Sequence, residues 1–162
     1  MSDFEITISG ADELIARYRQ APEIVKREML KGVDRLTFAG QAISQKEAPV
    51  DTGTYRRSIT QRKATFAGGA ATGSWGTNLP YARPIEDGRS AGSAMPPSGV
   101  LLGWMRRHGA DAKAEFVIRR AIGRKGIKAK HPMRKGRLQI QPKVKAEFEA
   151  VAQRIADQLG GG

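Results

Sequence analysis

The sequence predicts an α+β fold, with a long N-terminal helix and C-terminal helices packed on a small antiparallel sheet or hairpin. Three observations carry that prediction. Apolar residues recur at three- and four-residue steps between Ile24 and Ile43, a strand-like stretch is broken by Gly68-Gly69, and a second helical stripe runs from Val144 to Leu159. At 162 residues the chain has the size of one ordinary domain. It reads as a single domain over 1–162, with a long helix at about 11–47, a β region at about 54–86 and a loop at 87–99. A basic helical and extended region at 100–142 and a C-terminal helix at about 143–159 complete it.

Phe4, Ile6 and Ile8 alternate with polar residues as a short strand does; Gly10 ends it, and Ser9 or Asp12 can cap the helix that begins at Ala11. Leu14, Ile15 and Tyr18 form an apolar cluster. Pro22 interrupts the pattern and, with Glu23 after it, makes a good first turn for a second helix. Ile24, Val25, Met29, Val33, Leu36, Phe38 and Ile43 then form the stripe. Pro49 stops the helix, because the residue before a proline is driven out of the α region. Asp51 is placed to accept from backbone amides two positions on, and Gly53 to take a positive φ. With Pro49 and Thr52 these two residues make a structural corner. From Tyr55 to Thr60 the chain reads as extended, and Ala64 to Leu79 as a hairpin turning at Gly68-Gly69.

Beyond the sheet, Asp87 to Gly99 is a loop by composition. Val100 to Arg107 reads as a short helix anchored by Leu101, Leu102, Trp104 and Met105. Ala112 to Gly123 reads as a helix with Phe116, Val117, Ala121 and Ile122 inward and Lys113, Arg119, Arg120 and Arg124 outward. Gly126 to Gln141 reads as extended or irregular. In the last helix Val144, Phe148, Val151, Ala152, Ile155 and Leu159 share a stripe, and the final glycines form a frayed tail.

Charge is the strongest bulk signal. Residues 101–145 carry 14 basic and 2 acidic side chains, which equals the net +12 of the whole chain. Such a segment attracts phosphate backbones or acidic protein surfaces, or else serves as a solubilising face. Its candidate interface residues are Arg106, Arg107, Arg119, Arg120, Arg124, Lys125, Lys128 and Lys130. A helix-turn-helix spacing, zinc ligands and the interleaved aromatics of an RNA-binding sheet are all missing, so any contact with nucleic acid is expected to be phosphate-directed and salt-dependent.

No catalytic set, metal site or cofactor is expected. The chain has no cysteine, and its two histidines, His108 and His131, lack the acidic partners of a metal site. Gly68-Gly69 is not followed by the Lys-Ser/Thr of a phosphate loop, and Ser58 and Ser74 lack the context of a nucleophile elbow. The N-terminal segment has neither a basic nor an apolar region of the kind found in signal peptides, and no run is long enough to span a bilayer.

Two islands then acquire weight together. Ala48-Pro49-Val50-Asp51-Thr52-Gly53-Thr54-Tyr55-Arg56-Arg57-Ser58-Ile59 comes after the long helix, and Tyr81-Ala82-Arg83-Pro84-Ile85-Glu86-Asp87-Gly88 stands about thirty residues later. A third, weaker mark is the Trp104 segment with Ala121 to Ile127 and then His131-Pro132-Met133 behind it. In this order they resemble the neck or tail-completion (head-tail joining) family of tailed bacteriophages, of the lambdoid type, over roughly residues 10–160. Tyr55 stands where that family commonly has leucine, and Pro132-Met133 replaces a usual Pro-Phe.

The resemblance implies a structural virion protein at the head-tail junction, present in the host cytoplasm during assembly and working in a ring of six or twelve copies. Its partners would be other neck proteins: the connector or stopper, the tail terminator or the tail tube. Non-specific contact with phage DNA is compatible with the basic segment; a membrane is not implied. Tyr81 and Glu86 are further interface candidates, Tyr81 as a packing anchor. Glu86 has three open roles: bonding to backbone amides, pairing with an arginine of its own chain, or pairing with one of a neighbouring subunit. The alternatives are a basic, non-sequence-specific nucleic-acid-binding protein and, in a further class, a small hydrolase such as a nuclease.

Overall fold

The computed structural model describes residues 11–160, with side chains from residue 19 onward. The strand expected at Phe4–Ile8 and the side chains of Leu14, Ile15 and Tyr18 lie outside the described residues. Helix α1 spans Ala11–Glu47, α2 Thr54–Ser58, strand β1 Thr60–Ala67 and β2 Ala70–Gly76. Helices α3 (Ala82–Asp87), α4 (Leu102–Arg107), α5 (Glu115–Lys125) and α6 (Pro132–Gly160) come next, with a 3-10 turn at Ala112–Ala114 ahead of α5. The architecture is α+β: a long N-terminal helix, C-terminal helices and a small two-stranded antiparallel sheet. The chain gathers into two compact units. One contains residues up to Gln41, Gln61–Trp75 and the chain from Leu138; the other contains Ala42–Thr60 and Gly76–Arg137.

In the first unit the hairpin turns at Gly68 and Gly69, whose φ values of 57° and 78° are those of a type I′ turn. The side of α1 that it meets is small and polar. Asp34 accepts from the Ala64 amide at 2.8 Å and from the Gln61 side-chain amide at 3.0 Å. Gly40 leaves room for the Trp75 indole, and a Cβ there would lie 2.7 Å from the ring. Gly73 likewise stands against Val33 and Thr37. Where α1 meets α6, Gly32 faces Val151, and Val33, Ile140 and Val151 are buried apolar residues.

Several sequence-based expectations are corrected. Helix α1 passes through Pro22 without interruption. A proline forfeits one backbone bond, and the turns on either side carry the helix past it. Phe38, assigned to the apolar stripe, is 62% exposed, while Glu28, Thr37 and Ser44 are buried. The buried stripe of α1 is set by close approach to its neighbours rather than by hydropathy.

Residues 54–58 are a helical turn and not the start of a strand, because Gly53 at φ 75° lets the Arg57 amide bond to its carbonyl at 3.0 Å. The second hairpin arm ends at Gly76, and 82–87 is helix. Phe116 and Val117 are 55% and 66% exposed rather than inward. The covered side of α5 carries Glu115 and Gly123, against which the 93–99 loop lies. Residues 132–141 are helical, so α6 begins about ten residues before the expected start and runs through Pro142. Buried Ile140 and Val151 hold the turns on either side of that proline.

In the second unit the core is Ala48, Tyr55, Ile59, Met105 and Pro132. Gln45 donates to the Ile59 carbonyl at 2.8 Å, Ser58 shares a 2.7 Å hydroxyl contact with Thr77, and Lys135 pairs with Glu47 at 2.9 Å.

Candidate functional site

The corner after α1 is built from local chemistry. Ala48 is buried, Pro49 ends the helix, and the Thr52 and Thr54 hydroxyls stand 2.9 Å apart. The Thr54 amide reaches the Thr52 hydroxyl only at 3.4 Å, so the expected side-chain cap is weak and comes from the threonine. Among the described residues the Asp51 carboxylate accepts no backbone bond. It accepts two bonds from Arg107, Nη2 at 2.5 Å and Nε at 3.3 Å, and stands 3.2 Å from Nε2 of His108. Arg107 holds the Asp51 carboxyl below its usual range, with a smaller contribution from His108. The corner is thus fastened to the C-terminal end of α4, where the His108 ring also stacks on Trp104 at 4.5 Å.

Tyr55 anchors the inner side of the corner. It is 5% exposed, and its ring centre lies 6.4 Å from that of Tyr81. Its hydroxyl has no hydrogen-bond partner among the described residues. Burial, together with the charge of Glu86, pushes the phenol up to about 12. An open cleft of about 400 Å³ borders the corner, lined among others by Val50, Asp51, Tyr55, Tyr81, Ile85 and Arg107. Its donors and acceptors could orient a peptide side chain, but they provide no base next to a nucleophile.

Glu86, one of the interface candidates, is used inside the chain. Its two carboxylate oxygens accept from the amides of Met133 and Arg134, each at 2.9 Å, at the start of α6. Pro132, whose ring nitrogen carries no proton, occupies the first helical position. This is an N-terminal cap supplied from a distant helix: charge-assisted bonds meet the orphan donors at the positive end of the helix dipole. The sequence left this role open with two others. The neighbouring chain is held in the same way, because Lys130 donates to the Ile85 carbonyl and Arg89 exchanges two 2.9 Å backbone bonds with Ile127. Gly88 allows the approach. Its φ is 73°, and a Cβ there would sit 2.5 Å from the Ile127 carbonyl oxygen.

The basic candidates divide by use. Arg107 belongs to Asp51, and Arg119 donates to the Pro96 carbonyl at 2.7 Å, pinning the 87–99 loop to α5. Arg106, Arg120, Arg124, Lys125, Lys128 and Lys130 are exposed, and their side chains make no ion pair among the described residues. Sequence reasoning missed Glu115, whose buried carboxylate accepts from the Gly99 amide at 2.6 Å. It also missed His108 as a partner of Asp51. No local spacing signals either contact, since each joins residues more than 15 positions apart. Among the described residues no group of three His, Cys, Asp or Glu could hold a metal ion, and no helix is long and apolar enough to cross a membrane.

Residues 12–88 match the family model of HK97-gp10-like proteins, described as bacteriophage HK97-gp10, putative tail-component. The match spans just under half of the chain and contains both the corner at 48–59 and the Tyr81–Gly88 island. It supports a phage tail or structural protein as the general class. No curated protein and no solved structure shows significant similarity to the chain.

Proposed function

We propose that this chain is a structural, non-enzymatic virion protein of the phage neck, joining or completing the tail at the head-tail interface as one subunit of an oligomeric ring of six or twelve copies. The carrying observation is that the span similar to tail-component proteins ends on Glu86 and Gly88, and that its marked residues do architectural work. Asp51 fastens α4, Glu86 caps α6 and Gly88 admits a neighbouring backbone, so the chemistry of the motif specifies a shape. Its partners are the connector or stopper, the tail terminator or the tail tube, met in the host cytoplasm during assembly and retained in the virion.

The test is deletion of the gene in the phage or prophage that encodes it, with electron microscopy and mass spectrometry of the particles. The expected result is unjoined heads and tails, restored by the wild-type chain, and detection of the chain in joined virions. Joined, infectious particles formed without the chain would overturn the reading.

A second reading, a basic nucleic-acid-binding protein without sequence preference, draws on the six exposed cations that make no ion pair among the described residues. It requires affinity for duplex DNA that falls steeply with salt and is indifferent to sequence.

A further inference from the structure

Helices α4 and α5, joined through the 3-10 turn that packs on both, leave large apolar side chains exposed. Val100 just before α4, Leu102 and Trp104 on it, and Phe116 and Val117 in the first turn of α5 are all exposed within 18 residues of chain. Exposed apolar residues scattered singly are ordinary; five large ones on adjoining elements mark an interaction surface. The same elements carry the exposed cations Arg106, Lys113, Arg120 and Arg124, unpaired among the described residues.

Of the segment's two acids only Asp111 remains exposed beside these cations. Asp111 accepts from the Lys113 amide at 2.9 Å, and Glu115 is buried against Gly99. Exposed aromatic, aliphatic and arginine side chains carried together on these elements have the composition of a protein-binding surface.

We propose that the α4–α5 face is a docking surface for a different protein chain, one that presents an apolar patch bordered by Asp and Glu. Charge selects this occupant. A second copy docking through this same face would oppose two sets of the same cations, and a head-to-tail copy in a ring would appear as the cross-link to another copy that the test below counts against the proposal. Duplex DNA would satisfy the arginines but leave Val100, Leu102 and Val117 without apolar contact. The acid-bordered partner satisfies both parts, the apolar side chains supplying adhesion and the cations supplying encounter rate and register. This inference rests on the virion reading and adds to it the face used and the chemistry of the partner.

The test places the photo-cross-linker p-benzoylphenylalanine at Phe116 of the full chain during phage growth, with irradiation of purified particles and peptide mapping afterwards. The expected product joins position 116 to a different virion protein within an Asp/Glu-flanked apolar segment. The charge-reversal pair Arg120→Glu and Arg124→Glu is expected to reduce its yield at least fivefold and to lower the number of joined particles at least tenfold. Circular dichroism checks folding, and Arg120→Gln with Arg124→Gln replaces that pair if it misfolds, with at least a twofold loss of yield expected. A cross-link to DNA, a cross-link to another copy, no cross-link in particles that contain the chain, or a yield indifferent to charge would each overturn the docking surface and leave the virion reading standing. Absence of the chain from joined particles would overturn the virion reading itself.

Discussion

Removing the Glu86 carboxylate strips two neighbouring amides at the start of a 29-residue helix of their acceptor. Three contributions set the size of the effect. Loss of an N-terminal cap costs about 0.5–2 kcal/mol. Loss of a negative charge at the positive end of the helix costs a further ~0.3–1 kcal/mol. Water recovers part of both, because Glu86 is half-buried and Arg134 is accessible. Glu86→Ala is therefore expected to destabilise by about 2 kcal/mol, which for a chain of this length lowers Tm by about 4–8 °C. Glu86→Gln keeps one carbonyl acceptor and should lose about half as much. The neighbouring Asp87→Ala is the control: its contact is a 3.7 Å pair with exposed Arg83, a surface pair of about 0.5 kcal/mol or less. Thermal denaturation by circular dichroism measures all three, and hydrogen exchange at the Met133 and Arg134 amides locates the change. A Glu86→Ala Tm within about 1 °C of wild type, or exchange unchanged at those two amides, would refute the cap.

Four further outcomes rest on named contacts. Gly88→Ala forces a Cβ onto the Ile127 carbonyl at a positive φ and should destabilise by about 1–3 kcal/mol, read as a lowered urea midpoint; a neutral effect would mean the 88–127 approach is not held in solution. Gly40→Ala should cost a similar ~1–3 kcal/mol by driving the Trp75 ring off its seat, accompanied by a change in indole fluorescence. Asp51→Asn should speed amide exchange in α4 and leave α5 unaffected, an effect that grows smaller as salt rises; exchange unchanged at all salt concentrations would show that the Arg107 pair does no fastening. The fourth outcome concerns pH. The 2%-exposed Glu28 carboxyl is lowered to about 2, chiefly by its bond to Lys31, with Gln158 and Arg27 assisting against burial. Because the folded value lies below the ordinary 4.5, its stabilisation is fully present above 4.5 and is lost as pH falls through the folded value. Glu28→Gln should therefore flatten stability against pH between about 4.5 and 2, and a wild-type slope in the variant would refute the assignment.

The elements whose cause is local were legible in the sequence. The Gly68-Gly69 turn needs only two residues free to take positive φ, and Pro49 lies two positions past the last residue of α1, where it disfavours a further helical turn. Failures came where a distant contact overrode the local pattern. The start of α6 depends on a carboxylate 47 positions away, so Gly126–Gln141 looks irregular when read alone. Pro132 was the available signal, a proline at a first helical position. The α5 face was misread because its exposed aromatic and valine look like core residues, while its covered side is marked by Glu115 and Gly123. The small and polar stripe of α1 escaped for the same reason: hydropathy does not register a glycine whose function is to admit an indole.

The use of the acids explains why formal charge understates the basic character of the outer surface. In the second unit Glu47 is tied to Lys135, Asp51 to Arg107, and Glu86 and Glu115 to backbone amides. Each of these carboxylates directs its oxygens at a partner, and the two that serve amides neutralise no cation. Each of the two amide-directed uses leaves one more lysine or arginine without a carboxylate partner, so the positive field arises from how the fold is fastened as well as from composition. The corner and the basic face are therefore coupled. Freeing Glu86 or Glu115 from its amides would loosen the fold and at the same time return negative charge to the exterior, weakening attraction for an acidic partner. Conversely, a substitution that preserved the caps but neutralised Arg120 and Arg124 would separate the two effects, leaving stability intact and reducing only association.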